Sequence, residues 1–374
     1  MKVFINTQFR PPGFTVPTEF PGPENHSTVG TFYGDAFMSD LEKVNGHHAK
    51  DLLSKSFGSL AGLEAEAKLH FDVDGILSAL VRLHAEVPVD GYTAPFLGTE
   101  REGNGIIIDD DGLILTIGYL IVEAMAISIS TNDDRMISAE PVAYDYDSGF
   151  GLVRALEGLD FPPLELGLSA SVNIGNGVLV AGHGGREAAI GARVVGKREF
   201  AGYWEYMLDE AIFTAPAYPN WGGAALIGKD GKLLGVGSLY VEDATADQKD
   251  RQGNMFVPID LLPPIFDEMM QSGRTAASYR PWMGLFSAEV EGRMEVIGLA
   301  NDGPAERAGL KIGDVIVKVN GQPVSTMVDL YRAAWALGKA GVEIPMTLLR
   351  ETYAFELALK SEDRYSRLKF QGSN

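Results

Sequence analysis

Short apolar runs separated by turn residues dominate the middle of the chain. Between residues 75 and 260 the runs include "GIIID", "LILTI", "AISIST", "GVLVAG", "ARVVGKREF" and "KLLGVGSLYV". Asp-Gly pairs stand at 111–112 and 230–231, where a two-residue hairpin turn needs positive φ. This pattern predicts a mostly β region built from hairpin-connected strands.

The regions on either side of these runs have different patterns. Residues 1–66 begin with Pro, Gly and Asn and then show a weak helical pattern without a strong apolar stripe, which we interpret as an N-terminal extension. The run "PIDLLPPIFDEMMQSG" predicts an amphipathic helix that ends at a glycine. A polar linker follows, and we expect proteases to cut it. We therefore predict a β domain over 67–275, a compact α+β module over 280–361 and a C-terminal tail over 362–374.

Composition and charge exclude several classes of partner. The 374 residues are 45% hydrophobic and 22% charged, which is typical of a soluble globular protein with a sizeable core. With 31 basic and 51 acidic residues the net charge is -20, so we expect no nucleic-acid partner. There is no cysteine, which excludes disulfides and a thiolate nucleophile. His47 and His48 are adjacent and would point apart on a helix, and we expect neither a metal nor another cofactor.

The N-terminal stretch "MKVFINTQFRPPGFTVP" has no apolar segment long enough for a secretory signal before its prolines. No part of the chain approaches the length of apolar sequence that spans a membrane, so we expect no membrane insertion. These observations predict a cytoplasmic protein.

Three segments follow one another in the β region: "GNGIIIDDDGLILTIGYLI", "VAYDYDSGFGLVRAL" and "TAPAYPNWGGAALIGKDGKLLGVGS". In order and spacing they resemble the histidine strand, the aspartate strand and the nucleophile loop of the HtrA (Deg) family of trypsin-like serine proteases. The resemblance implies a chymotrypsin-like double six-stranded β-barrel. It also implies the periplasm as an alternative location, and a homo-oligomer is left open.

The residues at the family's catalytic positions do not suit acyl transfer. Tyr119 stands at the histidine position, and its phenol has a pKa far too high for a general base at neutral pH. Gly149 stands at the aspartate position and Trp221 at the serine position, so the orienting carboxylate and the attacking oxygen are both missing. Pro219 stands at the position of an oxyanion donor and has no N–H. The sequence therefore predicts a pseudoprotease with no catalytic residues.

Two carboxylates lie close to the position of Gly149. Asp145 matches an upstream aspartate of the family and Asp147 lies two residues before Gly149, but without an imidazole neither has a group to orient. We expect Tyr119 and Trp221 to meet and to fill the former cleft. Whether the aromatic pair only fills that cleft or forms a pocket for a ligand is left open.

The C-terminal module resembles a bacterial PDZ domain in "RPWMGLF" and in "NDGPAERAGLKIGDVIVKVNGQPV". PDZ domains add a peptide to a sheet edge and capture its terminal carboxylate on backbone amides. The resemblance places the carboxylate-binding loop at Trp282, Met283, Gly284 and Leu285. It places the pocket for the last peptide side chain on one helical face, at Leu330, Ala334 and Leu337.

The sequence thus predicts a noncatalytic HtrA-like protein that binds protein or peptide C-termini as a scaffold, adaptor or regulatory subunit. Two alternatives are an active HtrA-type serine endopeptidase and a structural subunit of a larger complex.

Overall fold

The computed structural model of the protein describes residues 3–4, 60, 71–245 and 251–369. The predicted N-terminal extension lies outside the described residues except for positions 3, 4 and 60, and so do His47, His48 and the end of the predicted tail. Within the described ranges, no helix is long and apolar enough to cross a membrane. The same ranges hold no group of His, Asp and Glu side chains that could bind a metal ion.

The first half of the β region forms a closed six-stranded barrel in the strand order β2-β3-β4-β7-β6-β5. Leucine, isoleucine and valine side chains from the apolar runs supply most of its core, which continues into the second half of the β region. At the Asp-Gly turn, the Asp109 carboxylate accepts a hydrogen bond of 2.7 Å from the Leu113 N–H, which closes the hairpin. The elements are α1 (Val73–Ser78), β2 (Leu80–Glu86), α2 (Ala94–Leu97), β3 (Glu100–Ile107), β4 (Leu113–Ile117), β5 (Ala126–Ser130), β6 (Met136–Tyr144) and β7 (Phe150–Ala155).

The second half forms another barrel, in the order β12-β11-β8-β9-β10-β13, which the pairing of β12 with β13 closes. The N-terminal strand β1 (Val3–Phe4) pairs with the end of β12. The elements are β8 (Gly177–Ala181), β9 (Ala189–Gly202), β10 (Tyr206–Ala215), β11 (Ala225–Ile227), β12 (Leu233–Val241), β13 (Gly253–Pro258) and α3 (Pro263–Ser272). The predicted chymotrypsin-like double β-barrel is confirmed.

The C-terminal module is a sheet in the order β14-β15-β16-β18-β19, with β17 paired to β16 and two helices packed on it. Its core is separate from that of the barrels. The predicted α+β PDZ fold is confirmed. The elements are β14 (Leu285–Val290), β15 (Arg293–Leu299), α4 (Pro304–Ala308), β16 (Val315–Val319), β17 (Gln322–Pro323), α5 (Met327–Trp335), β18 (Glu343–Arg350) and β19 (Tyr353–Lys360).

The linker between the barrels and the PDZ domain is packed rather than loose, unlike the expectation from its polar sequence. Thr275 and Ser278 are buried, and the Thr275 hydroxyl donates a hydrogen bond of 2.6 Å to the buried Asp145 carboxylate. The chain after β19 also returns to the first barrel, where the Tyr365 hydroxyl donates to the Tyr144 carbonyl. Polar residues in a linker can be buried when a partner satisfies them, and sequence alone does not show such a partner.

Candidate functional site

Tyr119, which the sequence places at the histidine position, crosses the cleft between the two barrels. Tyr119 lies in a single 3₁₀ turn, Gly118–Leu120, directly after β4. Its hydroxyl donates a hydrogen bond of 2.9 Å to the Ser238 carbonyl on β12 of the second barrel. Burial raises the pKa of this phenol further above its ordinary value. Tyr119 is therefore a neutral cross-link between the barrels.

Trp221 lies in the loop between β10 and β11, as the nucleophile motif predicts. The loop is fixed from the first barrel, because the Asn104 side-chain amide donates to the carbonyls of Asn220 (2.7 Å) and Gly222 (3.1 Å). The Trp221 ring packs against Tyr240 with centroids 5.6 Å apart.

The structure brings Trp221 and Tyr119 together, as expected. The Trp221 indole N–H offsets part of the rise in the Tyr119 pKa, although within the described residues it completes no hydrogen bond of normal geometry. Pro219 precedes Asn220 in this loop and has no N–H to donate.

Both the backbone conformation of Gly149 and the space around it disfavour an aspartate at this position. Its φ is +84°, in the left-handed region that side-chain-bearing residues rarely adopt. A Cβ atom there would lie 3.0 Å from the Tyr206 hydroxyl and 3.5 Å from Ile117. The Tyr206 hydroxyl is itself fixed by a hydrogen bond of 2.8 Å to the Ser148 carbonyl. The space beside Gly149 is thus occupied by an aromatic side chain from the second barrel.

The two nearby aspartates have structural partners. Asp145 is 1% exposed and accepts hydrogen bonds from the backbone N–H and hydroxyl of Ser148 and from the Thr275 hydroxyl. Asp147 forms an ion pair of 2.7 Å with Arg280 at the boundary with the PDZ domain. Burial raises the pKa of Asp147 to about 6, with Arg280 opposing the shift. These carboxylates connect the cleft to the linker and to the PDZ domain.

The predicted carboxylate-binding loop of the PDZ domain holds a carboxylate that belongs to the same chain. The Glu205 side chain accepts hydrogen bonds from the N–H groups of Met283 (3.0 Å), Gly284 (2.7 Å) and Leu285 (3.2 Å). Gly284 has φ +72°, and a Cβ atom there would lie 2.9 Å from the Pro304 ring. A glycine therefore gives the loop the conformation that aims three consecutive amides at one carboxylate.

The structure differs from the prediction at Trp282. The Trp282 N–H donates to the Glu362 carbonyl at 3.0 Å, and the Glu362 N–H donates back to the Trp282 carbonyl at 3.1 Å. This backbone pairing uses the Trp282 amide, so the loop amides that face a carboxylate begin at Met283. The Trp282 ring instead contacts Tyr92 of the first barrel edge-on, with centroids 6.1 Å apart.

The three residues predicted to line the peptide side-chain pocket fall into two groups. Leu330 and Ala334 are fully buried on α5, within the PDZ core. Leu337 lies beyond the end of α5 at Trp335 and is only partly buried, because the helix is shorter than the apolar pattern indicates. Ala201 and Met207, from the β9–β10 hairpin of the second barrel, pack against the same cluster.

Sequence reasoning missed two residues of this site, Glu205 and Tyr331. Glu205 lies about 80 positions before the loop that it contacts, in a turn without a motif. Tyr331 lies one residue after Leu330 on α5, and its fully buried hydroxyl donates to the Gly202 carbonyl at 2.7 Å. The isolated glutamate carries no signal in the sequence. The tyrosine lies beside predicted pocket residues, and because a buried tyrosine hydroxyl usually needs a hydrogen-bond partner, the sequence could have indicated a polar contact there.

Comparison with known proteins agrees with the fold and the domain order. The trypsin-like peptidase domain family matches residues 103–236, and the PDZ domain family matches residues 296–350. The chain therefore combines a trypsin-like domain with a C-terminal PDZ domain.

Individual relatives resemble only part of the chain. A probable periplasmic serine endoprotease DegP-like from Pseudomonas fulva is 27% identical over 276 residues, 68% of this chain and 55% of the relative. A putative protease Do-like 14 from Arabidopsis thaliana is 29% identical over 61% of this chain and 58% of the relative. The chain thus spans little more than half the length of these curated relatives. Among solved structures, an HtrA-type protease AlgW with decapeptide covers 78% of this chain and 98% of its own at 19% identity, with a TM-score of 0.48.

The relatives overturn the expectation of a cytoplasmic location. The relatives from Pseudomonas fulva, Pseudomonas fluorescens and Pseudomonas putida are all named as periplasmic proteins. The expectation rested on the N-terminal stretch, which the similarity to these relatives outweighs.

Proposed function

We propose that this protein is a noncatalytic HtrA-like protein that binds protein or peptide C-termini through its PDZ domain. The observation that carries the proposal is the row of three amides at Met283, Gly284 and Leu285, which meet a single carboxylate. In this role the protein serves as a scaffold, adaptor or regulatory subunit in the compartment of its relatives.

The loss of catalysis is supported by the geometry at the triad positions. Tyr119 is hydrogen-bonded across the cleft to Ser238, and the Trp221 ring in the adjoining loop packs against Tyr240. An indole offers no attacking oxygen, and a buried phenol whose pKa is raised does not accept a proton from a nucleophile. Tyr119 links the two barrels instead, and Trp221 packs against Tyr240.

Peptide binding is supported by the edge of the PDZ sheet. Among the described strands, β14 pairs only with β15, so its other edge, which the Tyr203 carbonyl contacts through the Ser287 N–H, is where a peptide strand would add. The amides that hold a carboxylate lie at the start of this strand. A peptide with a free C-terminus would use both features at once.

The test is the titration of the full chain with fluorescein-labelled decapeptides that end in Ala, Val, Leu, Ile or Phe, followed by fluorescence polarisation. We expect saturable binding of at least one free-acid peptide below millimolar concentration and none of its amidated form. Gly284→Glu should abolish the binding, because the new side chain forces the loop out of its left-handed conformation and places negative charge at the carboxylate site. Equal binding of the amidated peptide would refute carboxylate recognition.

A second candidate function, serine endopeptidase activity, is favoured by the names of the relatives. A fluorophosphonate probe and casein hydrolysis decide between the two. We expect neither labelling nor hydrolysis, and labelling of a serine within residues 71–245 would establish the endopeptidase instead.

A further inference from the structure

We propose that the turn between β9 and β10 is an internal ligand of the PDZ groove, with the Glu205 side chain in the place of a peptide's terminal carboxylate. A C-terminal peptide would then bind only by displacing this turn. The inference rests on the proposed peptide-binding function and adds how that site is regulated.

The carboxylate of Glu205 is bound as the carboxylate of a ligand would be. Its Oε1 accepts from the N–H groups of Gly284 and Leu285, and its Oε2 accepts from that of Met283. Glu205 is 2% exposed, so no room is left for a second carboxylate at these amides. A peptide carboxylate and the Glu205 carboxylate are therefore mutually exclusive there.

The main chain of the turn also takes part, at the edge where a peptide strand would add. The Tyr203 carbonyl accepts a hydrogen bond of 3.2 Å from the Ser287 N–H on β14. Tyr331 on α5 fixes the opposite side of the turn, because its hydroxyl donates to the Gly202 carbonyl and accepts from the Glu205 N–H at 3.1 Å. The turn thus contacts the sheet edge and the helix that border a PDZ groove.

Two properties of Glu205 indicate that its contact with the PDZ loop is opposed by backbone strain and by desolvation of the carboxylate. Its φ is +60°, which is uncommon for a residue other than glycine and often marks a functional position. Burial raises the pKa of its carboxyl, an effect that the three amides and Arg364 oppose. A carboxylate that is desolvated in a strained turn can be released when a ligand supplies a better one.

The turn is part of the same chain, so it competes with a peptide at a high effective concentration, of the order of millimolar for a short tether. We expect this competition to weaken peptide binding by at least about tenfold. Glu205→Gly removes the carboxylate and relieves the left-handed backbone at once, so this variant is expected to fold. Glu205→Gln provides a second variant, with a weaker acceptor of the same size.

The experiment combines peptide binding with hydrogen exchange in the full chain. The five free-acid decapeptides and their amidated forms are titrated into wild type, Glu205→Gly, Glu205→Gln and a control, Glu210→Ala. Glu210 lies on the same hairpin but pairs with Lys197 on the barrel. Mass spectrometry of exchange in the segment that contains Met283, Gly284 and Leu285 reports on the loop without any ligand, and circular dichroism checks folding.

The expected result is at least about tenfold tighter free-acid binding and faster loop exchange in Glu205→Gly. Smaller changes are expected in Glu205→Gln, and none in Glu210→Ala. If peptides bind wild type and Glu205→Gly equally and loop exchange is unchanged, the internal ligand is refuted while peptide binding stands. If exchange accelerates but no peptide binds either protein at millimolar concentration, Glu205 does fill the loop, but the proposed function and the competition are both refuted.

Discussion

The cleft between the barrels and the PDZ loop are two sites of one chain that are filled in different ways. In the cleft between the barrels, aromatic side chains fill the space around Tyr119 and Gly149. In the PDZ loop the donors are present and correctly aimed, but a carboxylate of the same chain occupies them. The first site is filled by large packed side chains, whereas the second is covered by one carboxylate.

The difference shows why a filled site is not always a lost site. Tyr119 and Trp221 are large residues in a packed interface, and restoring the cleft means replacing them and their neighbours. Glu205 is a single side chain in a turn, and one substitution or one competing ligand uncovers the amides. Reversibility is therefore the property that separates the two sites.

The strongest contrast with the PDZ loop is expected in the cleft, where putting the catalytic residue types back should not produce protease activity. The combined variant Tyr119→His, Gly149→Asp, Trp221→Ser should show no fluorophosphonate labelling and no casein hydrolysis above background. The aspartate would have to adopt φ +84° beside the Tyr206 hydroxyl, and Pro219 still supplies no oxyanion donor. Labelling that maps to position 221 would show that the cleft is as recoverable as the PDZ loop.

A matched control adds Pro219→Gly to that combined variant, which returns a backbone N–H to the loop. Loss of one oxyanion donor lowers the rate by roughly 10²–10³. Activity that appears only in the variant with all four substitutions would therefore locate the principal defect at Pro219. If neither variant is active, the principal defect lies at Gly149 and in the aromatic packing around it.

The sequence predicted the fold better than the state of the PDZ groove. Asp-Gly turns and short apolar runs are local signals and predicted a mostly β region, whereas the two barrels were implied by the resemblance to a known family. Tyr119, Gly149 and Trp221 were found because a motif fixes their positions. The contact of Glu205 with the loop that starts at Met283 depends on how two domains pack, and no local pattern encodes that. The burial of Thr275 in the linker was missed for the same reason.

The second prediction tests whether Asp145 has a structural role. Asp145→Ala should lower the free energy of unfolding by about 3 kcal/mol, because the Ser148 and Thr275 groups lose their buried acceptor. Urea denaturation measures the effect. The exposed Glu157→Ala is the control and should change stability by no more than about 0.5 kcal/mol. A loss as small as that of the control would mean that Asp145 does not hold the linker.

The third prediction concerns pH and the ion pair between Asp147 and Arg280. The pKa of Asp147 is raised to about 6 in the folded protein, against about 3.9 for an unfolded aspartate. The folded state therefore binds the proton more tightly, so this group stabilises the protein below pH of about 4, and that contribution is lost as the pH rises to about 6. The change is at most about 3 kcal/mol.

Denaturation of wild type and Asp147→Asn at pH 4, 5, 6 and 7 isolates this contribution. The difference between the two proteins matters, because the pKa of Glu205 is raised as well and shifts stability in the same direction. We expect wild type to lose stability relative to Asp147→Asn between pH 4 and pH 6. Parallel profiles would mean that Asp147 titrates like an exposed carboxyl and that the interface beside the cleft is open to water.

The smallest expected effect comes from Arg332, which joins the PDZ helix α5 to the hairpin that carries Glu205. Its guanidinium pairs with Glu199 and Asp209, but 54% of the side chain is exposed, so water and salt screen both pairs. Arg332→Ala should leave the melting temperature and peptide affinity almost unchanged, in contrast to Glu205→Gly. An increase in peptide affinity comparable to that of Glu205→Gly would show that surface charge, rather than the buried carboxylate, keeps the turn in the groove. Titrations at low and at high salt distinguish the two, because only the surface pairs lose strength steeply as salt is added.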